Sequence, residues 1–238
     1  MKFFYLAFLF IIIASCQSSG ESKTIVTEEK IETYDLLKKY PEIEIDTGIF
    51  ENGTYTNNEL KFSINLPESW IYCSHDSIIQ RTKEFNEVRP FHEQLHLDLS
   101  KKRALFETFE NESIIHEGSI RATIGLSVHS KYSFLEDQGE EVHQTAQDFI
   151  NAIEDLHNTV QTHHEMEKWF SLEDEEKKEE VLGGKTFKTS VQYDDETDSE
   201  FKYHILKVND LFLMLFIAYP SGEPTQEQID ALNSIQFF

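Results

Sequence analysis

Nine consecutive residues, Leu211 to Tyr219 (LFLMLFIAY), are apolar. A β-strand sends successive side chains to opposite faces, so this run is apolar on both faces and has to be covered on both. It follows Phe201 to Val208 across Asn209-Asp210, a dipeptide suited to a two-residue hairpin turn. The pattern predicts a central strand in an antiparallel sheet. Other segments alternate as half-buried strands do. Ile120, Ala122, Ile124, Leu126 and Val128 give the cleanest alternation in the chain. Leu60, Phe62, Ile64 and Leu66 form a second set, Leu95, Leu97 and Leu99 a third, and Phe187, Thr189, Val191 and Tyr193 a fourth. Ala104 to Phe109 and Ser234 to Phe238 read as further strands.

The period changes after residue 140. Val142, Ala146, Phe149, Ile153, Leu156 and Val160 are spaced four and three apart, which predicts an amphipathic helix over roughly 140–168, docked by one apolar stripe. Thr225-Gln226-Glu227-Gln228 is a capping box and opens a last helix with Ile229 and Leu232 turned inward. A short helix is also predicted over Thr27 to Tyr40, stopped by Pro41. Glu42 to Gly53 reads as a linker, and the charge run Glu173 to Glu180 as a solvated loop or helix end. The folded body is placed at 54–238.

Composition narrows the function. The chain has 238 residues, 21 Lys and Arg against 44 Asp and Glu, and a formal charge of −23. Phosphate backbones are bound by basic surfaces, so nucleic acid is excluded as a partner. Nineteen Phe among 13% aromatics supply ample core material, and two Cys give no disulfide framework.

The N-terminus carries an address. Lys2 precedes an unbroken apolar run, Phe3 to Ala14. Twelve helical residues span about 18 Å, short of a hydrocarbon core of about 30 Å. A basic start, a short apolar core and small residues at its end predict a signal peptide over 1–15. Ile13-Ala14-Ser15-Cys16 resembles the lipobox of bacterial lipoproteins. That resemblance implies cleavage before Cys16 and acylation of its thiol and amine, palmitate among the acyl groups, with 16–53 as a lipid-anchored tether. Gln17, rather than Asp, follows the Cys, which implies an outer-membrane destination on either the periplasmic or the surface face. Removing 1–15 deletes Lys2 and no acid, which carries the side-chain charge from −23 to −24.

Three further pieces carry a family resemblance. They are Tyr55 with Leu60-Lys61-Phe62-Ser63-Ile64-Asn65-Leu66-Pro67-Glu68-Ser69-Trp70, then Leu182-Gly183-Gly184-Lys185-Thr186-Phe187, and the closing hairpin, capped helix and strand ending Ser234-Ile235-Gln236-Phe237-Phe238. Together they resemble the PsbP-like superfamily, which includes a photosystem II extrinsic subunit and DcrB-type bacterial lipoproteins. The resemblance covers about 54–238. It implies an α+β fold in which an antiparallel β-sheet is sandwiched by helices, and a non-enzymatic binding or assembly role. It brings no functional residue with it.

Several constellations were weighed for chemistry. His92-Glu93-Gln94-Leu95-His96 matches H-E-x-x-H, which binds zinc when its two His share a helix face. Here the downstream residues alternate as a strand, where positions four apart lie about 13 Å from each other, too far for one ion. His92, Glu93 and His96 are therefore the metal candidates of an alternative reading, a zinc-dependent hydrolase. Cys73 has no intrachain disulfide partner once Cys16 is acylated, and His75, two residues on, is its only local base. His157, His163, His164 and Glu167 read as a solvated helix face. No calcium loop, Walker A loop, G-x-G-x-x-G or G-x-S-x-G is present. The sequons at Asn52 and Asn111 are incidental in a bacterial protein. No cofactor, catalytic residue or resident metal is assigned. The expectation is a membrane-anchored, non-enzymatic lipoprotein with a protein partner in the envelope, with a small-molecule carrier as a further alternative.

Overall fold

The strand Leu211–Pro220 (β10) sits fourth among seven, flanked by three strands on each side. Its residues 212–219 are all buried, as a run apolar on both faces requires. The structure, a computed structural model, describes residues 42–87, 102–111, 121–131, 133, 143–153, 179–194, 198–220 and 222–238. The signal peptide, Cys16, the 27–40 helix, the strand at 95–99, His92, Glu93, His96, His157, His163, His164 and Glu167 lie outside the described residues.

In chain order the strands are Ile49–Glu51 (β1), Thr54–Asn57 (β2), Phe62–Asn65 (β3), Ile71–Ser74 (β4), Lys102–Phe109 (β5), Thr123–Ser130 (β6), Glu179–Leu182 (β7), Lys185–Asp194 (β8), Ser199–Val208 (β9), β10 and Gln236–Phe237 (β11). The helices are His75–Glu87 (α1), 146–153 (α2) and Gln226–Asn233 (α3). Two sheets form, ordered β1-β2-β3-β11 and β4-β5-β6-β10-β9-β8-β7. Every strand pair is antiparallel. The β9–β10 register, Val208 opposite Leu211, closes the hairpin on Asn209-Asp210, with Asn209 at φ +56°.

The antiparallel α+β expectation holds, and the covering layers differ from it in one respect. The inner face of the large sheet (Ile124, Leu126, Val128, Leu213, Leu215, Ile217) packs on Tyr55, Phe62 and Ile64 of the small sheet and on Ala231 of α3. The outer face (Phe201, Tyr203, Ile205, Phe212, Met214, Phe216) packs on Phe149, Ile150 and Ile153 of α2, and Cys73 and Phe109 pack on Ile78 of α1. Among the described residues, helices cover one face. A second sheet covers much of the other, because the strands around Tyr55–Leu66 pair with one another and not with the main sheet.

Three local expectations are corrected. Residues 43–51 are not a linker: Ile43 and Ile45 are buried, β1 pairs with β2, and Arg103 donates a hydrogen bond to the Ile43 carbonyl at 3.2 Å. Buried Asn57 donates to the Asp46 carbonyl at 2.6 Å and Tyr55 Oη to the Thr47 carbonyl at 2.8 Å, pinning the same segment. The charge run ends as an edge strand, β7, and not as a loop. In α3 the fully buried residues are Gln228 and Ala231; Leu232, half-buried, packs against the core as expected, while Ile229 is half-buried and is not among the residues packed on it. The capping box itself is as expected: Thr225 Oγ1 accepts from Gln228 N at 3.2 Å, and Gln228 Oε1 accepts from Thr225 N at 3.0 Å. Gln228 Nε2 also donates to the Thr123 and Ala218 carbonyls, both at 2.9 Å, tying α3 to the paired ends of β6 and β10.

Candidate functional site

Titratable side chains are buried on both faces of the large sheet. On the outer face, β5 presents Lys102 and Glu107, β6 presents His129, and α1 presents Arg81. Arg81 Nη2 donates to Glu107 Oε2 at 3.2 Å, with both side chains largely buried. Burial raises the Glu107 carboxyl above its ordinary range, against the opposing pull of Arg81 and Lys102. Burial lowers the Lys102 ammonium to about 8, against the opposing pull of Glu107. His129, fully buried beside Ser127 Oγ at 2.9 Å, is held neutral by burial and by the nearby Lys102 charge. The cluster exists because α1 packs on β4 and β5 through Ile78, which sets Arg81 beside Glu107. β6 places Gly125 on the same face. A Cβ at this position would stand 1.9 Å from the Phe216 ring, so the Phe216 side chain fills the place a side chain would take.

Around His129 the rings of Phe149, His143 and Phe212 gather. Phe149 of α2 stacks on Phe212 at 4.8 Å, and the rings of His129 and His143 meet Phe149 edge-on at 5.2 and 5.5 Å. His143 Nε2 donates to the Ser133 carbonyl at 2.7 Å.

The inner face carries the second cluster. Glu180 on β7 accepts from His204 Nε2 at 2.9 Å and from Lys202 Nζ. These hydrogen bonds, from His204 first, bring the Glu180 carboxyl down to about 2. His204 is wholly buried, and that burial lowers its own pKa despite the carboxylate beside it. The imidazole is therefore neutral and donates through Nε2.

The cysteine reading is resolved by the start of α1. Cys73 is buried and in no disulfide among the described residues. His75 does not continue the strand but opens the helix, where Ser74 Oγ accepts from Ser77 N at 3.3 Å. Its Nδ1 donates to the Ala104 carbonyl at 2.6 Å, so the imidazole is committed to β5. Among the described residues no group of three or more His, Cys, Asp and Glu is arranged to hold a metal ion. No described helix is long and apolar enough to cross a membrane. Asn52 sits in the β1–β2 turn, and Asn111 is exposed beyond β5.

Sequence reasoning missed Arg81, Lys102, Glu107 and the Glu180–Lys202–His204 set. One signal was present: Glu107 interrupts an otherwise buried strand, and a charge in such a place is rarely left without a partner.

No family model matches the sequence, and no curated protein matches it. Among solved structures, the chain is similar to a crystal structure from Bacteroides thetaiotaomicron, with 10% identity and a TM-score of 0.36. That match covers 79% of this chain and 49% of the other, so the chain spans about half of that protein's length. It is similar to the solution structure of the cyanobacterial PsbP of Synechocystis, at 9% identity and a TM-score of 0.43, over 78% of this chain and 91% of that one. It is also similar to LpqN of Mycobacterium tuberculosis, described as involved in cell envelope biogenesis, at 10% identity and a TM-score of 0.38, over 74% and 82%. At these identities and scores the fold description rests on the chain's own strand order and pairing, and no activity is carried across.

Proposed function

We propose that this chain is a lipid-anchored, non-enzymatic binding or assembly protein of the bacterial envelope. The observation that carries the reading is Ile13-Ala14-Ser15-Cys16 at the end of a basic-then-apolar leader too short to span a bilayer. Cys16 is the lipidated residue, and Gln17 favours the outer membrane. Two features of the body support a binding role over a catalytic one. Two carboxylates of the sheet, Glu107 and Glu180, are each held in an ion pair, with Arg81 and with Lys202. The net charge of −23 favours a basic protein partner and speeds its encounter.

The anchor is tested by feeding labelled palmitate to cells expressing the chain. The label is expected in the wild type and absent in Cys16→Ser; a labelled variant would refute the assignment. The partner is tested by crosslinking in native membranes followed by pulldown. A specific protein held by the wild type and lost from the soluble variant supports the reading, and recovery of none counts against it.

A further inference from the structure

Phe109 closes β5 and is buried. Two guanidinium groups stand over its ring. The Arg81 carbon, from α1, is 5.9 Å from the ring centroid, and the Arg121 carbon, just before β6, is 5.6 Å from it. The pairing of Phe109 with Thr123 puts Arg121, two residues earlier, on the same outer face as Phe109 and α1.

The two arginines are poorly supplied with acceptors. Arg81 has one, Glu107. The Arg121 guanidinium has none among the described residues, and the Nε atoms of both are shut off from solvent and unbonded. A cation–π contact uses the charge of a guanidinium and leaves its five N–H donors unmet. The chain has 44 acidic residues against 21 basic ones, so carboxylates are abundant, yet none pairs with Arg121 among the described residues. Glu107 is the one acid of the group, and Arg81 and Lys102 already act on it. Among the described residues of the group the sum is positive, in a chain whose net charge is −23. Two like charges on one aromatic ring repel each other unless an anion joins them.

We propose that Arg81 and Arg121, both within 6 Å of the centre of the Phe109 ring, form a binding site for a small oxyanion, a phosphate or carboxylate group. The planar fork of a guanidinium matches both groups with paired hydrogen bonds, which Lys does not. A free anion and the phosphodiester of a lipid headgroup share this chemistry. The site goes beyond the anchoring reading and does not depend on it, since it is built from the folded body alone.

The test uses the full chain in neutral detergent micelles. Inorganic phosphate, acetate, and micelles doped with phosphatidylglycerol are titrated separately by calorimetry against the wild type and Arg121→Gln. Arg121→Gln removes the cation–π contact with Phe109, so its unfolding temperature without added anion is measured first and the titrations are run well below it, where both proteins are folded. Phosphate stabilises proteins in general by exclusion from their surfaces, so saturable heat is the readout rather than a melting shift. Saturable phosphate or acetate binding, weakened about tenfold or more in Arg121→Gln, supports the site with a free anion. Arg121-dependent binding of the doped micelles alone supports it with a headgroup. Absence of binding in all three titrations, or binding indifferent to Arg121→Gln, overturns the proposal.

Discussion

On the inner face of the large sheet Glu180 accepts hydrogen bonds from His204 and Lys202; on the outer face Glu107 accepts one from Arg81. Both are carboxylates beside cations, and folding moves them in opposite directions. Glu180 lies on an edge strand with its side chain one-third exposed, so it keeps solvent while gaining donors. Its carboxyl falls to about 2. Glu107 lies in the second strand of the same sheet beneath α1, with its side chain 11% exposed. Loss of water outweighs its cations, and its carboxyl rises. The number of nearby positive charges does not decide the sign; the balance between water lost and donors gained does.

Breaking the outer pair should have the largest effect. Arg81→Ala leaves Glu107 buried without its hydrogen-bonded cation, at a cost of about 2–4 kcal/mol near neutral pH by denaturant unfolding. Because the Glu107 carboxyl is raised, the cost should shrink as pH falls and the group takes a proton. Arg81→Ala with Glu107→Gln should recover much of the loss. A cost that stays constant with pH would show that the Arg81 stem, packed on Phe109, matters more than its charge.

Gly125→Ala probes the outer face without touching a charge. The added methyl meets the Phe216 ring, and the expected cost is about 1–3 kcal/mol, with weaker hydrogen-exchange protection in β6 and β10. An unchanged melting temperature would mean that the ring moves aside freely.

Glu180→Gln should cost less, about 1–2 kcal/mol at neutral pH once screening at a one-third-exposed site is allowed for. A lowered carboxyl contributes stability that is present above its ordinary value of 4.5 and is lost as pH falls toward about 2. The gap between wild type and variant should therefore close over that window. The outer cluster has the reverse slope: a raised carboxyl favours the folded state most below its ordinary value and less as pH rises through its folded value. Both stability curves should approach the wild type in acid, Arg81→Ala first, as the raised Glu107 carboxyl takes its proton, and Glu180→Gln only as pH falls from 4.5 toward about 2. Each double variant separates the two causes.

The contrast also bears on what was legible in the sequence. β10, its hairpin turn, the alternation of β6 and the capping box of α3 are all local patterns, in which residues within a few positions set the outcome. α1 was missed because the buried residues among its described side chains, His75, Ile78 and Thr82, include one aliphatic residue, and the run Trp70 to His75 continues the look of a strand. Ser74 with Ser77 was the one cap signal available. Ile43 and Ile45 were hidden among Glu42, Glu44 and Asp46, which read as a solvated segment until Tyr55, Asn57 and Arg103 are seen to hold it. Both ion clusters join residues more than twenty positions apart, Arg81 with Glu107 and Glu180 with His204. No periodicity records such a pairing, because sheet register and helix placement create it. The lipobox is legible for the contrary reason. It is a linear signal, read as an extended segment, and owes nothing to the fold.

The central claim is that this body is carried on a lipid. Mass spectrometry of the tryptic peptide Cys16–Lys23 from membrane-extracted protein tests it most directly. The account predicts a peptide that begins at Cys16 and carries diacylglycerol on the thiol, with or without an acyl group on the amine. A chain that retains residues 1–15, or an unmodified Cys16 at a mature N-terminus, would contradict it.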